Sequence, residues 1–221
     1  MTLLATLLPD GVQAEEIFEL PAELDLLPEE LAVVARAVDK RRREFAAARR
    51  CARAALGRLG VPPVAILPGE RGAPTWPAGI TGSMTHCAGY AAAAVAPSGR
   101  TATLGIDAEP DAPLPHGVLD TIALDAEKAQ LARLLADRPD VSWDRLLFCA
   151  KEAVYKSWFP LARRWLGFEE ALVTLDADGG FAAELLVPGP DLDGRPVRGF
   201  EGRWTAGRGL LLTAIAVPRR G

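Results

Sequence analysis

Cysteine is scarce in this chain of 221 residues. Cys51, Cys87 and Cys149 are scattered and odd in number, which excludes a disulfide framework, and no Cys-x-x-Cys pair is present to start a zinc ribbon. Histidine is scarcer. His86 adjoins Cys87 but has no second ligand pair nearby, so zinc is set aside, and His116 lies in a proline-rich loop and reads as surface. No hydrophobic run is long and clean enough to span a bilayer. Met1 to Leu8 is apolar with no preceding basic residues, unlike an export signal. No internal repeat or low-complexity linker is evident. These absences predict a reduced, cytoplasmic protein without a membrane segment. A net charge of −4 argues against general affinity for nucleic acid. The 49% apolar content allows one large domain or two small fused halves.

High helix propensity runs from Glu29 to Leu59, where Gly60 and Pro62-Pro63 stop it. Residues 61–80 are rich in proline and glycine and read as loop, with one short strand expected at Val64–Leu67. Tyr90–Ala96 suits a tightly packed buried strand, although its alanines alone would suit a helix. Thr101–Ala108 is the next strand, expected to pair with the alanine run through the turn at Pro97-Ser98-Gly99. Asp125 reads as the N-cap of a helix through Ala136, and Ser142 as the cap of one reaching Trp158, before Pro160. The period then changes. Ala171–Asp176, Phe181–Val187, Gly199–Thr205 and Leu210–Val217 read as strands, with a hairpin turn at Asp178-Gly179-Gly180. The expectation is an α/β (α+β) layered fold.

Two acidic segments carry the chemistry. In Gly105-Ile106-Asp107-Ala108-Glu109, alternation along a strand puts Asp107 and Glu109 on one face, just before Pro110. Such a pair suits Mg²⁺, which takes one or two protein carboxylates and completes its shell with water and phosphate. Two solvated acids on an exposed sheet are the equal alternative. In the second segment, Trp143, Leu147, Ala150, Val154 and Trp158 form an apolar stripe at helical spacing. Glu152 lies opposite it and Lys156 one turn further along the same side, flanked by Phe148 and Phe159. This is either an ordinary Glu–Lys helix pair or a cleft wall with a carboxylate for metal or base duty and a lysine for phosphate. The basic cluster Lys40, Arg41, Arg42, Arg43, Arg49, Arg50, Arg53 and Arg58 reads as a solvated helix face, and the lack of interleaved aromatics weakens a nucleic-acid reading. Trp165 and Phe168 could be core.

Gly105–Glu109 and Lys151-Glu152-Ala153-x-x-Lys156 resemble the two signature motifs of Sfp-type 4′-phosphopantetheinyl transferases. Gly82-Ser83-Met84-Thr85-His86 resembles that family's Ser-x-[Ser/Thr]-His motif. Arg71-Gly72-Ala73-Pro74 and Phe159-Pro160-Leu161 through Phe168 resemble the branch of the enterobactin synthase D component and its actinobacterial relatives. The motifs occur in the family's order, over roughly residues 40–217.

The resemblance implies two pseudo-symmetric halves, 1–103 and 104–221, with coenzyme A between them. It implies transfer of 4′-phosphopantetheine to a serine of an apo acyl- or peptidyl-carrier protein, from fatty-acid, polyketide or nonribosomal peptide synthases, with release of adenosine 3′,5′-bisphosphate. By resemblance, Asp107, Glu109 and Glu152 hold Mg²⁺, for which Mn²⁺ can substitute, Glu152 accepts the serine proton, and Lys156 holds the pyrophosphate. His86, Thr85, Arg41, Arg49 and Arg71 serve the phosphates, with Pro68 standing where the family has a lysine. Trp165, with Tyr155 and Phe168, lines the pantetheine channel, and Leu114–Ile122 belongs to the carrier dock. A monomer is expected. A metal-dependent phosphodiesterase or nuclease, and a non-catalytic coenzyme A-binding module, are the competing readings.

Overall fold

The computed structural model describes residues 2–219. In chain order its elements are β1 (Gln13–Ile17), α1 (Pro28–Val33), α2 (Asp39–Arg58), β2 (Ile80–Cys87), β3 (Tyr90–Pro97), β4 (Thr101–Pro110), α3 (Val118–Ile122), α4 (Asp125–Asp137), α5 (Trp143–Ala162), β5 (Ala171–Leu175), β6 (Gly180–Leu185), the short pair β7 (Asp191–Leu192) and β8 (Arg195–Pro196), β9 (Gly199–Gly207) and β10 (Leu210–Pro218). This is the mixed α+β architecture expected.

Two antiparallel sheets organise the molecule, a smaller one in the order β1-β3-β2 and a larger one in the order β4-β10-β9-β6-β5. The alanine run is the central strand β3, buried along almost its whole length. Its small side chains let α2 settle on one face, where Ala91, Ala93 and Val95 meet Ala47, Cys51, Ala52, Ala55 and Leu56. Its other face joins Leu4, Leu7, Leu104, Ile106 and Leu212. The α5 stripe packs on the larger sheet, with Trp143, Leu147, Ala150, Val154 and Trp158 buried against Val173, Phe181, Trp204 and Leu211.

Five expectations are corrected. The alanine strand does not pair with β4. Both edges of β3 are taken, by β1 and β2, and β4 pairs with β10 instead. The helix over 29–59 is two helices. Glu30 is fully buried and spends its carboxylate on Leu27 N, Ile66 N and Arg53, which holds α1 apart from α2. No strand forms at 64–67, because side chains and a loop take its backbone groups: Ile66 N donates to Glu30, Ile66 O accepts from Arg49, and Leu67 O accepts from Thr75 N. Finally, α5 continues through Pro160 to Ala162, and Asp125 is the first residue of α4 and not its cap, whereas Ser142 does stand at the N-cap of α5, without a side-chain cap bond. Leu124 is the N-cap of α4, with Glu127 reaching back to the Leu124 N–H.

Candidate active site

The two sheets meet along β2 and β4 through side chains. Ser83 Oγ accepts from Ile106 N at 3.1 Å, and Thr85 Oγ1 accepts from Ala108 N at 3.2 Å. The Thr85 hydroxyl then donates to Asp107 Oδ1 at 2.9 Å. Thr85, expected to contact a ligand, is buried and spends its hydroxyl on aiming Asp107.

On the opposite side of Asp107, Gly105 lets α5 approach. A Cβ there would stand 2.1 Å from Ala153 O and 2.2 Å from Ser157 Oγ. Glycine is therefore a packing requirement, and the close approach brings Lys156 Nζ to 2.7 Å from Asp107 Oδ1 and 3.1 Å from Ile106 O. Asp107 Oδ2 is left buried with no hydrogen-bond partner.

Glu109 and Glu152 feel Asp107. Burial raises the Glu152 carboxyl above its ordinary value, Asp107 and Glu109 add to the rise, and Lys156 opposes it. Burial and Asp107 likewise raise Glu109, against Arg145 and Lys156. Burial works to lower the Lys156 ammonium, but Asp107 and Glu152 outweigh it and the net shift is upward. Three neighbouring acids, two of them raised by burial and by the Asp107 charge and the third carrying an unpartnered buried oxygen, form a donor set suited to a hard divalent cation. Among the described residues, no three acidic, histidine or cysteine side chains are grouped closely enough to ligate an ion by themselves. Oxygens from substrate or water would have to complete the shell.

Beside this cluster opens a cleft of about 700 Å³, within the range that holds small ligands. Arg41 and Arg49 from α2, the 68–76 loop, Met84 and His86 from β2, and Glu152, Tyr155, Lys156 and Phe159 from α5 line it. Arg41 Nη1 donates to His86 Nε2 at 2.8 Å, and His86 Nδ1 stands 3.7 Å from Glu44. Burial lowers the His86 pKa, partly offset by Glu44. Arg49 is buried over the Phe45 ring, with Nε and Nη1 on the Ile66 and Phe45 carbonyls, and burial lowers its pKa to about 10. Other members of the basic cluster are spent on acids: Arg53 on Glu30, Arg58 on Glu15 and Lys40 on Glu44.

A second pocket, about 200 Å³, is lined by Lys151, Glu152, Tyr155, Trp165, Leu166 and Phe168. Glu152 and Tyr155 belong to both pockets. Trp165 is exposed and packs on Tyr155 at 4.9 Å, and Arg71 sits 5.8 Å from the Trp165 ring. The two pockets therefore adjoin at Glu152 and Tyr155, with Arg41 and His86 at the basic end of one and Trp165 and Phe168 in the other.

Sequence reasoning brought together Asp107, Glu152, Lys156, His86 and Arg41, and missed three residues around them. Glu44 faces His86. Lys151 is buried, 2.9 Å from Glu127, and donates to the Phe168 and Ala171 carbonyls that wall the second pocket. Arg145 binds Glu109 at 2.9 Å. The spacing 145-148-152-156 puts Arg145 on the Glu152 face of the helix and was the available signal. Lys151 stands four residues after Leu147 and three before Val154, so the spacing that defines the apolar stripe also placed it at the stripe's edge.

Residues 28–96 match the model of the 4′-phosphopantetheinyl transferase N-terminal domain, and residues 103–198 that of the 4′-phosphopantetheinyl transferase superfamily. The chain is 58% identical over 220 residues to the 4′-phosphopantetheinyl transferase Svp of Streptomyces mobaraensis, covering 97% of this chain and 89% of the relative. It is 52% identical over 223 residues to Npt of Nocardia iowensis, covering 97% and 99%. To PptT of Mycobacterium tuberculosis it is 49% identical over 225 residues, covering 98% of each. Both of these relatives are also named 4′-phosphopantetheinyl transferases.

Proposed function

The chain belongs to the 4′-phosphopantetheinyl transferase superfamily, and from that premise we propose that it moves 4′-phosphopantetheine from coenzyme A to a serine of apo acyl- and peptidyl-carrier proteins. The observation that carries the reading is the pair of pockets that adjoin at Glu152 and Tyr155. A basic end suits the 3′-phosphate, a lysine beside acids suits the pyrophosphate, and an aromatic pocket suits the pantetheine arm. Halves 1–103 and 104–221 would each contribute one wall.

Arg41 and His86 would grip the 3′-phosphate, the guanidinium fork matching phosphate oxygens. Arg49 has only Nη2 left to offer, since its other nitrogens hold backbone carbonyls. Arg71 reaches the cleft where Pro68 offers no cation. Lys156 would neutralise the pyrophosphate while keeping Asp107 in place. Asp107 and Glu152, with Glu109, would hold Mg²⁺, which when bound neutralises the pyrophosphate and stabilises charge on the displaced phosphate. Trp165, Tyr155 and Phe168 would flank the pantetheine arm.

The serine oxygen bonds to the β-phosphorus as the bond from that phosphorus to the oxygen bridging the two phosphates breaks. Adenosine 3′,5′-bisphosphate departs, and the serine proton passes to Glu152, whose carboxyl burial and Asp107 raise above its ordinary value, making it a better proton acceptor than a free carboxylate.

The test is incubation with coenzyme A, Mg²⁺ and a panel of apo carrier proteins, read by mass spectrometry. The pantetheinyl adduct is expected on at least one carrier class and not with Asp107→Ala. No adduct on any carrier would refute the reading.

A further inference from the structure

We propose that Glu44 is a positioning residue that commits His86 to the imidazolium form when a phosphate monoester enters the basic end of the cleft. Coenzyme A would then take up a proton from solvent as it binds, and its analogue without the 3′-phosphate would not. The inference rests on the coenzyme A reading given above.

The tautomer of the free side chain follows from its partners. An arginine side chain donates and never accepts, so the Arg41 Nη1 contact at 2.8 Å makes His86 Nε2 the acceptor. The ring proton is then on Nδ1, which stands 3.7 Å from Glu44 Oε2. The neutral ring therefore shows the cleft a lone pair that Arg41 already occupies.

The oxygens of a phosphate dianion only accept, so His86 Nε2 can meet one only as N–H. Two routes lead there. In the first the ring stays neutral and its proton moves to Nε2, which turns an Nδ1 lone pair towards the Glu44 carboxylate. In the second a solvent proton adds to Nε2 and the Nδ1–H stays towards Glu44. In both, Arg41 leaves the ring and pairs with the phosphate. Glu44 opposes the first route, lone pair against anion, and favours the second, cation beside anion. Its side chain is only 12% exposed, so solvent screens this choice incompletely. Its other ion pair is no strong competitor, being 3.9 Å long to Lys40, which is 76% exposed.

Glu44 and Arg41 from α2, Asp107 from β4 and Lys156 from α5 all act on His86. In the free protein, burial and the two cations hold the ring below its ordinary value against the two acids. A bound phosphate adds up to two negative charges on the Nε2 side and draws Arg41 onto itself, which reverses that balance.

The test is isothermal titration calorimetry with Mg²⁺ at about pH 7.5, in two buffers of different ionisation enthalpy, using coenzyme A and 3′-dephospho-coenzyme A. The two ligands share the pyrophosphate, so their difference reads the 3′-phosphate. That group, with a second pKa of about 6, is already a dianion and has little proton of its own to release. Coenzyme A should take up about half a proton or more beyond its analogue, and His86→Gln should abolish that uptake. Glu44→Gln should cut the uptake by about half or more and narrow the affinity ratio of the two ligands, and Glu44→Asp should restore part of both. A merely structural Glu44 would weaken both ligands alike and leave the uptake in place. No uptake with coenzyme A in the wild type, equal uptake with the analogue, or uptake kept in His86→Gln or Glu44→Gln overturns the Glu44 proposal alone. The wild-type measurement decides even where a variant fails to fold. A wild-type protein that binds neither ligand overturns the coenzyme A reading with it.

Discussion

Asp107 is the residue on which the site turns, because one of its oxygens is shared by Thr85 and Lys156 while the other is unpartnered. Glu152, one helical turn before Lys156, is the acid proposed to take the serine proton as well as to hold the metal. Glu152→Gln should lower kcat by about 10²–10⁴-fold, the usual worth of a general base, while coenzyme A still raises the melting temperature. A variant that lost ligand binding in step with kcat would make Glu152 a binding group only. His86 supplies a pH test. It faces Glu44, Arg41, Lys156 and Asp107, and burial depresses its pKa below 6.5. The unfolded chain therefore takes up this proton first as pH falls, and stability is lost progressively below about 6.5. In the ligand-free protein, the stability difference between about pH 7.5 and about pH 5.5 should be larger for wild type than for His86→Gln. An equal stability difference in the two proteins, measured by urea unfolding at both pH values, would remove His86 from the account.

At the scale of elements, the decisive event is the seating of α5 on β4, and Gly105 permits it. Gly105→Ala would set a methyl against Ala153 O and Ser157 Oγ, so the helix must shift and carry Glu152 and Lys156 away from Asp107. A loss of about 1–3 kcal/mol is expected, as for overpacking, together with a larger fall in transfer than stability alone explains. Thermal unfolding and adduct formation measure the two, and retained transfer at full rate would show that the close approach is not needed. These elements also show what a sequence reveals. The faces of β4 and α5 were legible, since alternation and helical spacing act locally. The break between α1 and α2 was not, because no proline or glycine marks it and the cause is Glu30 reaching the distant Ile66 N. Strand β1 escaped notice for a related reason: Gln13–Ile17 pairs in register with Val95–Ala91 but carries two glutamates. Glu16 is buried as a hub for Leu4 N and Tyr90 Oη–H, at 3.1 and 2.6 Å. Pairing of β4 with β10 likewise depends on which strand edges are already occupied, a property of the assembled sheets.

At the scale of the whole molecule, the pair of pockets draws on both layers. Its basic end comes from α2 and β2 and its acidic and aromatic end from α5 and the 165–168 segment that follows it, while Ser83 and Thr85 provide the side-chain bonds between β2 and β4. A ligand long enough to touch both ends therefore bridges the two layers. Binding to the folded state at a hundred times the dissociation constant adds about 2.7 kcal/mol of stability. For a chain of this size each kcal/mol is worth about 2–4 °C, so saturating coenzyme A should raise the melting temperature by about 5–11 °C. In the proposed binding mode, pantetheine and adenosine 3′,5′-bisphosphate would each engage one end. Supplied together but unlinked, they should fall short of coenzyme A at equal concentration, because the covalent link makes the second contact intramolecular. Thermal scans with the whole molecule, each fragment and the mixture decide the point. A shift from adenosine 3′,5′-bisphosphate alone equal to that from coenzyme A would mean that the aromatic end contributes nothing to binding, and that Tyr155, Trp165 and Phe168 pack only against one another.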